Sequence, residues 1–501
     1  MLDFNSKFNW DMEFKRRNKY VYIYLFVLII NLLTGKLLTS SYDGNNQNLF
    51  LLCWNGNILM FFSVLTWIKT TKTFFSPYLI FLLSFYSFSY GQAFLRSLGA
   101  VYEGFNLYGI YSNDTLLMSH YYTLVGLSFM HLGALTAIIK RDESGVLNVS
   151  PEVILDKFIR KSILIVAWPI FIVSSIVYFQ NVIEFMITAF NQGYMALYNY
   201  NSSSINETSG LFNLLSSIKM FFVPSVFLLI VAYSKNRVLR NVLITVVLSA
   251  VFFNFLAGVR TDAAALLISF VLLFHNFIKP FKGKHTFIGI LAALVLLILL
   301  NIVGQTRGDE GRDLSHYLDK TKEVISEKNP IVDTIGEMGG SMFPLIEIMK
   351  IVPEQFKFKN GETYLSALLA VFPSSLVDGI IPRVSLPNWL MLTLNMNYGP
   401  GFSLLAEGYY NFGWGGSIFM FVIGFFIARL FNPRMSNETE RILKSIFIPV
   451  MLYFFITASR GDSLLLVRYV VFYSFIPYMV IKTLIATFKK NGVSESRYKQ
   501  S

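Results

Sequence analysis

Residues 238–279 read VLRNVLITVVLSAVFFNFLAGVRTDAAALLISFVLLFHNFIK. Two apolar runs, each close to the roughly 20 residues that a helix needs to cross a bilayer, flank one polar interruption, Gly258-Val259-Arg260-Thr261-Asp262. A water-soluble domain has no use for two such runs back to back, so this stretch places the chain among polytopic membrane proteins. The composition agrees. Of 501 residues 54% are hydrophobic and 14% charged, and the mean hydropathy is +0.53.

Further apolar runs lie at 20–38, 48–68, 76–95, 118–139, 162–181, 211–233, 286–304, 413–432, 442–458 and 463–487. With the two quoted they give about twelve spans. The expected fold is all-α: a polytopic integral membrane protein of about twelve transmembrane helices, forming a single membrane domain over residues 1–501. The first run is long enough to span and has no small-residue cleavage site, so it reads as an uncleaved first helix.

Every second connection is basic. Lys15, Arg16, Arg17 and Lys19 precede the first run, and Lys69 and Lys72 follow the second. Lys140, Arg141, Lys157, Arg160 and Lys161 come next, then Lys235, Arg237 and Arg240, then Lys279, Lys282 and Lys284. Arg434, Arg441 and Lys444 join two late runs, and Lys489 and Lys490 close the last. The positive-inside rule puts this side, and both termini, in the cytoplasm. The net charge of +12 is then explained by membrane orientation and by attraction to anionic headgroups. Nucleic acid is not an expected partner, because no aromatic-basic patch of that type is present. Cys53 is the only cysteine, which excludes a disulfide framework or a Cys-based metal site within the chain.

The opposite connections are polar or aromatic. One of them, 305–412, far exceeds ordinary loop length and is expected to be a large extracytoplasmic loop. Within it the run from Tyr364 to Phe372 reads as an interfacial helix ended by Pro373.

Three Arg-x-Asp triplets fall on this outer side: Arg260-Thr261-Asp262, Arg307-Gly308-Asp309 and Arg460-Gly461-Asp462. One such triplet is explained by helix capping and ion pairing at the interface. Three on the face where arginine brings no orientation benefit point to an anion site. Arg260, Arg307, Arg312 and Arg460 are the expected pyrophosphate ligands, since guanidinium forks fit phosphate. Asp262 and Asp462 are expected to orient the guanidinium groups.

A second constellation is Ala406-Glu407-Gly408-Tyr409-Tyr410-Asn411-Phe412-Gly413. An acid among apolar neighbours suits proton transfer, while the glycines and aromatics alone would be packing. Glu407, Asp309 and His316 are the catalytic candidates. His120, His131, His275 and His285 show no ligand spacing and read as structural. No P-loop, dinucleotide fingerprint or GxSxG elbow is present.

On Gly258–Asp262 opening a span, Ala406–Gly413 before a late span, and Ser459-Arg460-Gly461-Asp462 in the last outer turn, the chain resembles the bacterial O-antigen and capsule polysaccharide polymerases, the Wzy family. The span count and the large loop support the same resemblance. It implies an architecture similar to lipid-carrier-dependent membrane glycosyltransferases. It also implies polymerisation of undecaprenyl-pyrophosphate-linked oligosaccharide repeat units on the outer face of the bacterial inner (plasma) membrane. The resemblance extends the role of Arg260, Arg307, Arg312 and Arg460 to an anionic glycan. No nucleotide sugar, cofactor or metal is implied. The implied partners are membrane lipids and the flippase and chain-length regulator of the same pathway. Two rival readings stand beside it. An O-antigen ligase would use the same donor, and a twelve-span flippase or transporter would do no chemistry. Transporters usually show two related halves with broken helices, whereas outward polarity and one long outer loop favour surface chemistry.

Overall fold

The structure, a computed structural model, describes residues 2–41, 46–139, 155–193, 215, 217–281, 298, 301–302, 304, 329–372, 377 and 384–498. It is all-helical, with no strand among the described residues. The first helices are α1 (Leu2–Ser40), α2 (Asn46–Thr71), α3 (Pro77–Ser97), the short α4 (Leu107–Ile110), α5 (Asn113–Ile139) and α6 (Lys157–Gln192). Then come α7 (Phe222–Ala232), α8 (Arg237–Leu256) and α9 (Arg260–Phe277). After these lie α10 (Pro330–Gly339), a 3-10 turn (Gly340–Met342), α11 (Phe343–Ile351), α12 (Glu362–Leu369) and α13 (Leu386–Thr393). The chain continues with α14 (Leu404–Phe412), α15 (Gly415–Phe431), α16 (Glu438–Ala458) and α17 (Ser463–Val470). A π-helical turn (Val471–Phe475) leads into α18 (Ile476–Tyr498).

Eight described helices are long and apolar enough to cross a membrane: Arg17–Ser40, Asn46–Thr71, Pro77–Ser97, Asn113–Ile139, Lys157–Gln192, Arg237–Leu256, Glu438–Ala458 and Ser463–Asn491. The expected runs at 211–233 and 413–432 appear as the shorter apolar helices Ser217–Ala232 and Gly415–Phe431. The run at 260–279 is α9, whose first turn carries Arg260 and Asp262. The run at 286–304 falls largely outside the described residues. Exposed Tyr22, Phe26, Leu33 and Leu37 on α1 repeat at helical spacing, as a lipid-facing stripe does.

Two compact units emerge, each discontinuous in sequence. Unit 1 comprises Met1–Val146, Ile331–Arg434 and Ala458–Leu466. Its centre is α5, which packs along α15. A Cβ added at Gly133 would fall on the Phe421 carbonyl, and one at Gly424 on the Met130 carbonyl, so backbone meets backbone as in small-residue membrane packing. His131 on α5 is fully buried between Thr66 Oγ1 at 3.0 Å and Tyr78 OH at 3.2 Å, a structural histidine with both ring nitrogens engaged.

From Ile331 on, the described part of the expected loop 305–412 belongs to unit 1. Buried Gln92 on α3 donates to the carbonyls of Gly336 at 2.9 Å and Phe105 at 2.7 Å. Tyr111 OH donates to Glu347 at 2.6 Å. The expected interfacial helix is α12, and it ends before Pro373 at Ala370. Leu365, Leu368 and Phe372 remain exposed on it and just beyond it.

Unit 2 comprises Leu147–Pro330, Met435–Thr457 and Val467–Ser501. Here α8 ends in a Schellman turn. Gly258 adopts φ +83°, its N–H donates to Phe255 O at 2.9 Å, and Val259 N–H donates to Asn254 O at 2.9 Å. A left-handed residue at this position favours glycine. The chain reverses at once and α9 begins at Arg260. The motif Gly258–Asp262 is therefore a helix stop joined directly to a helix start.

Candidate functional site

The expected site residues divide between the two units. Unit 1 holds Glu407, Arg460 and Asp462, and unit 2 holds Arg260 and Asp262. Arg307, Asp309, Arg312 and His316 lie outside the described residues.

In unit 1 the organising element is the turn Ser459–Ser463. Gly461 N–H donates to Ala458 O at 2.9 Å and closes α16. Asp462 then opens α17: its Oδ1 accepts from Leu465 N–H at 3.1 Å, the geometry of an acidic N-cap. Its Oδ2 accepts from Leu386 N–H at 3.0 Å, which ties the turn to the start of α13. Asp462 is fully buried, and that burial raises its carboxyl affinity for a proton, against the pull of these backbone donors. Both its oxygens are thus engaged by backbone N–H groups, so its hydrogen bonds fix the turn that carries Arg460.

Glu407 lies on α14, whose first turn is capped by Ser403 Oγ accepting from Ala406 N–H at 3.1 Å. The carboxylate is only 1% exposed. Its Oε2 accepts from Ser463 N–H at 2.8 Å, and its Oε1 from Ser463 Oγ at 2.6 Å and Thr363 Oγ1 at 2.7 Å. Asn411, one helical turn along α14, donates to Thr363 Oγ1 at 2.6 Å and accepts from Gly361 N–H at 2.9 Å. One buried carboxylate therefore joins α12, α14 and the start of α17. Burial pushes its pKa up to about 7; the Ser463 hydroxyl opposes this and the nearby Asp462 charge adds to it. With its oxygens occupied and almost no exposed surface, Glu407 has the geometry of a holding group. Whether it also meets an acceptor hydroxyl belongs to the proposal below.

Above this buried layer Arg460 is exposed. Its carbonyl accepts from Phe402 N–H at 3.3 Å, and Gly401 packs against its side-chain stem. The backbone of Arg460 is fixed while the residue stays exposed, so its guanidinium is open to an external anion.

In unit 2 the described helix ends near Arg260 gather polar groups from several elements. Asn254 on α8 donates to Tyr178 OH at 2.7 Å. The charge of Asp262 acts on Lys219, Tyr178 and Tyr453. Its electrostatic partner is thus Lys219, a residue that sequence reasoning passed over because it sits within an apolar run. Lys219 donates to Asn181 Oδ1 at 3.0 Å. Tyr473, in the π-helical turn, donates to Ser217 O at 3.1 Å, and Arg468 is near enough for its charge to act on that phenol. A π turn inside a helix frequently marks a functional site. Thr363, Asn411 and Ser463 were also missed; a hydroxyl or amide carries no signal until its distant partner is known. Among the described residues no group of three or more His, Cys, Asp or Glu side chains could hold a metal ion.

Comparison with known families gives one match: the model described as O-antigen polysaccharide polymerase Wzy matches residues 20–491. No curated protein and no solved structure matches the chain.

Proposed function

We propose, from the premise that this chain belongs to the O-antigen polysaccharide polymerase Wzy family, that it polymerises O-antigen repeat units by glycosyl transfer from a polyprenyl pyrophosphate. The donor is the growing glycan on its lipid pyrophosphate, and the acceptor is the non-reducing end of a new lipid-linked repeat unit. An acceptor hydroxyl oxygen bonds to the anomeric carbon and gives up its proton. The bond from that carbon to the pyrophosphate oxygen breaks, and the lipid pyrophosphate leaves with the electron pair. The reaction takes place on the outer face of the inner or plasma membrane, in a twelve-span protein with cytoplasmic termini.

Arginines stabilise the charge that develops on the leaving group, an effect that is usually large in catalysis. The observation that supports this reading is Arg460 exposed on a turn whose backbone is held by buried contacts. Arg260 opens α9, where the helix dipole also favours an anion. Glu407 and Asp462 are positioning residues. Deprotonation of the acceptor falls to another base, and Asp309 is retained for that role.

The test uses the full chain in liposomes supplied with purified lipid-linked repeat unit, with the products resolved on a gel. A ladder of polymer is expected. Transfer of the lipid across the bilayer without elongation would favour the flippase instead. Transfer to a lipid A-core acceptor without a ladder would favour the ligase.

A further inference from the structure

Lys219 belongs to the apolar helix Ser217–Ala232, in the first turn. An ionisable side chain in such a helix is costly and marks a site unless it is neutralised nearby. No carboxylate closes into an ion pair with it among the described residues, although the charge of Asp262 acts on it. The ammonium donates to the neutral Asn181 amide oxygen at 3.0 Å and lies 5.6 Å from the centre of the Phe185 ring. The one carboxylate whose charge acts on it is Asp262, and the two do not close into an ion pair among the described residues. An ammonium has three donors, and among the described residues Asn181 takes one.

The positions around it come from separate helices of the same unit. Tyr178, Asn181 and Phe185 lie on α6, Asn254 on α8, and Arg260 and Asp262 on α9. The charges of Lys219 and Asp262 therefore act on each other from separate helices, and Arg260 opens the helix that carries Asp262. Tyr178 is stacked on Phe222 at 4.2 Å and fixed by Asn254, so this end of the unit is packed firmly enough to hold its donors in place.

We infer that Lys219 is a substrate-binding residue that donates to a phosphate oxygen of the lipid-linked glycan, with Asp262 as the counter-charge that holds the ammonium ready. The inference rests on the polymerase reading and adds a residue to it. The shared ligand chemistry is a lipid-borne phosphate, which a bilayer phospholipid also presents, so the test separates the two sources.

The full chain is placed in nanodiscs of zwitterionic lipid, and binding of undecaprenyl pyrophosphate is measured by titration, with undecaprenol as the uncharged control. A charge-assisted hydrogen bond is worth about tenfold in affinity or more. Lys219→Met is therefore expected to weaken undecaprenyl pyrophosphate binding by about that factor and to leave undecaprenol unchanged. Lys219→Arg recovers most of the loss. In the elongation assay Lys219→Met raises KM for the lipid-linked repeat unit more than it lowers kcat. Should Lys219→Met fail to fold because Asp262 is left alone, Lys219→Met with Asp262→Asn removes both charges, and the same loss is expected. Wild-type affinity in the folded variant overturns the inference. So does an equal loss of phosphatidylglycerol binding, which would make the site a headgroup seat. A wild-type protein that binds undecaprenyl pyrophosphate but never elongates overturns the polymerase reading and leaves Lys219 as an anion ligand.

Discussion

Glu407 accepts both the backbone N–H of Ser463, at 2.8 Å, and its hydroxyl, at 2.6 Å. The two residues are 56 positions apart in the chain. Through them the start of α17, three residues beyond Arg460, is fixed to α14. The position of an exposed arginine thus depends on a carboxylate that is itself hidden.

Glu407→Gln tests that dependence. The amide can still accept from Ser463 N–H, but its NH2 then faces the Ser463 and Thr363 hydroxyls, which must turn to accept it and lose the acceptor for their own protons. A buried donor left without an acceptor costs about 1–3 kcal/mol. The variant should melt earlier by a corresponding amount and elongate more slowly. Glu407→Ala, which strands the Ser463 and Thr363 donors together, should be worse in both measurements. Unchanged melting and elongation in both variants would remove the holding role.

The same carboxyl makes the junction sensitive to pH. Its ordinary value of 4.5 is raised to about 7 by burial, so the folded protein binds that proton more tightly than the unfolded chain does. The stability it contributes is fully present below about pH 4.5 and is lost as the pH rises through about 7. No lysine or arginine pairs with it among the described residues to offset the charge that then forms. Hydrogen exchange at the Ser463 amide, corrected for its intrinsic pH dependence, should show protection falling across that window. Glu407→Gln should flatten the profile.

Asp462 acts through its shape as an acceptor. Asp462→Ala removes an N-cap, at about 0.5–2 kcal/mol, and also strands the buried Leu386 N–H. It should lower the melting temperature and the elongation rate together. Asp462→Asn keeps one carbonyl oxygen for Leu465 or Leu386 and should lie between Asp462→Ala and the parent protein. If Asp462→Asn is as damaging as Asp462→Ala, the charge matters and the capping explanation fails.

Much of the membrane architecture was legible because hydropathy acts over one helix at a time: the runs at 48–68, 118–139 and 442–458 appear as α2, α5 and α16. The helix starts at Arg260 and Ser463 were legible too, since Gly258 stops one helix and Asp462 caps another. The region 305–412 read as a loop because its apolar pieces, broken by Pro and Gly, are too short to span. Its described segment Pro330–Ile351 packs on α3 and α5, and such contacts are invisible to local pattern. Glu407 stood out as an acid among apolar residues. Its partners Thr363 and Ser463, 44 and 56 residues away, did not, so its holding contacts were not legible in the sequence.

The central claim is that the Arg460 guanidinium stabilises the departing lipid pyrophosphate. The most direct measurement is the single-turnover elongation rate of Arg460→Lys in liposomes, with its melting temperature recorded alongside. The Arg460 carbonyl that receives Phe402 N–H survives this substitution, so stability should hold. Lysine keeps the charge but cannot reproduce the bidentate fork, and loss of one charge-stabilising contact typically slows a reaction on the order of 100-fold. A drop of that size at unchanged melting temperature is expected; a wild-type rate would contradict the role given to Arg460.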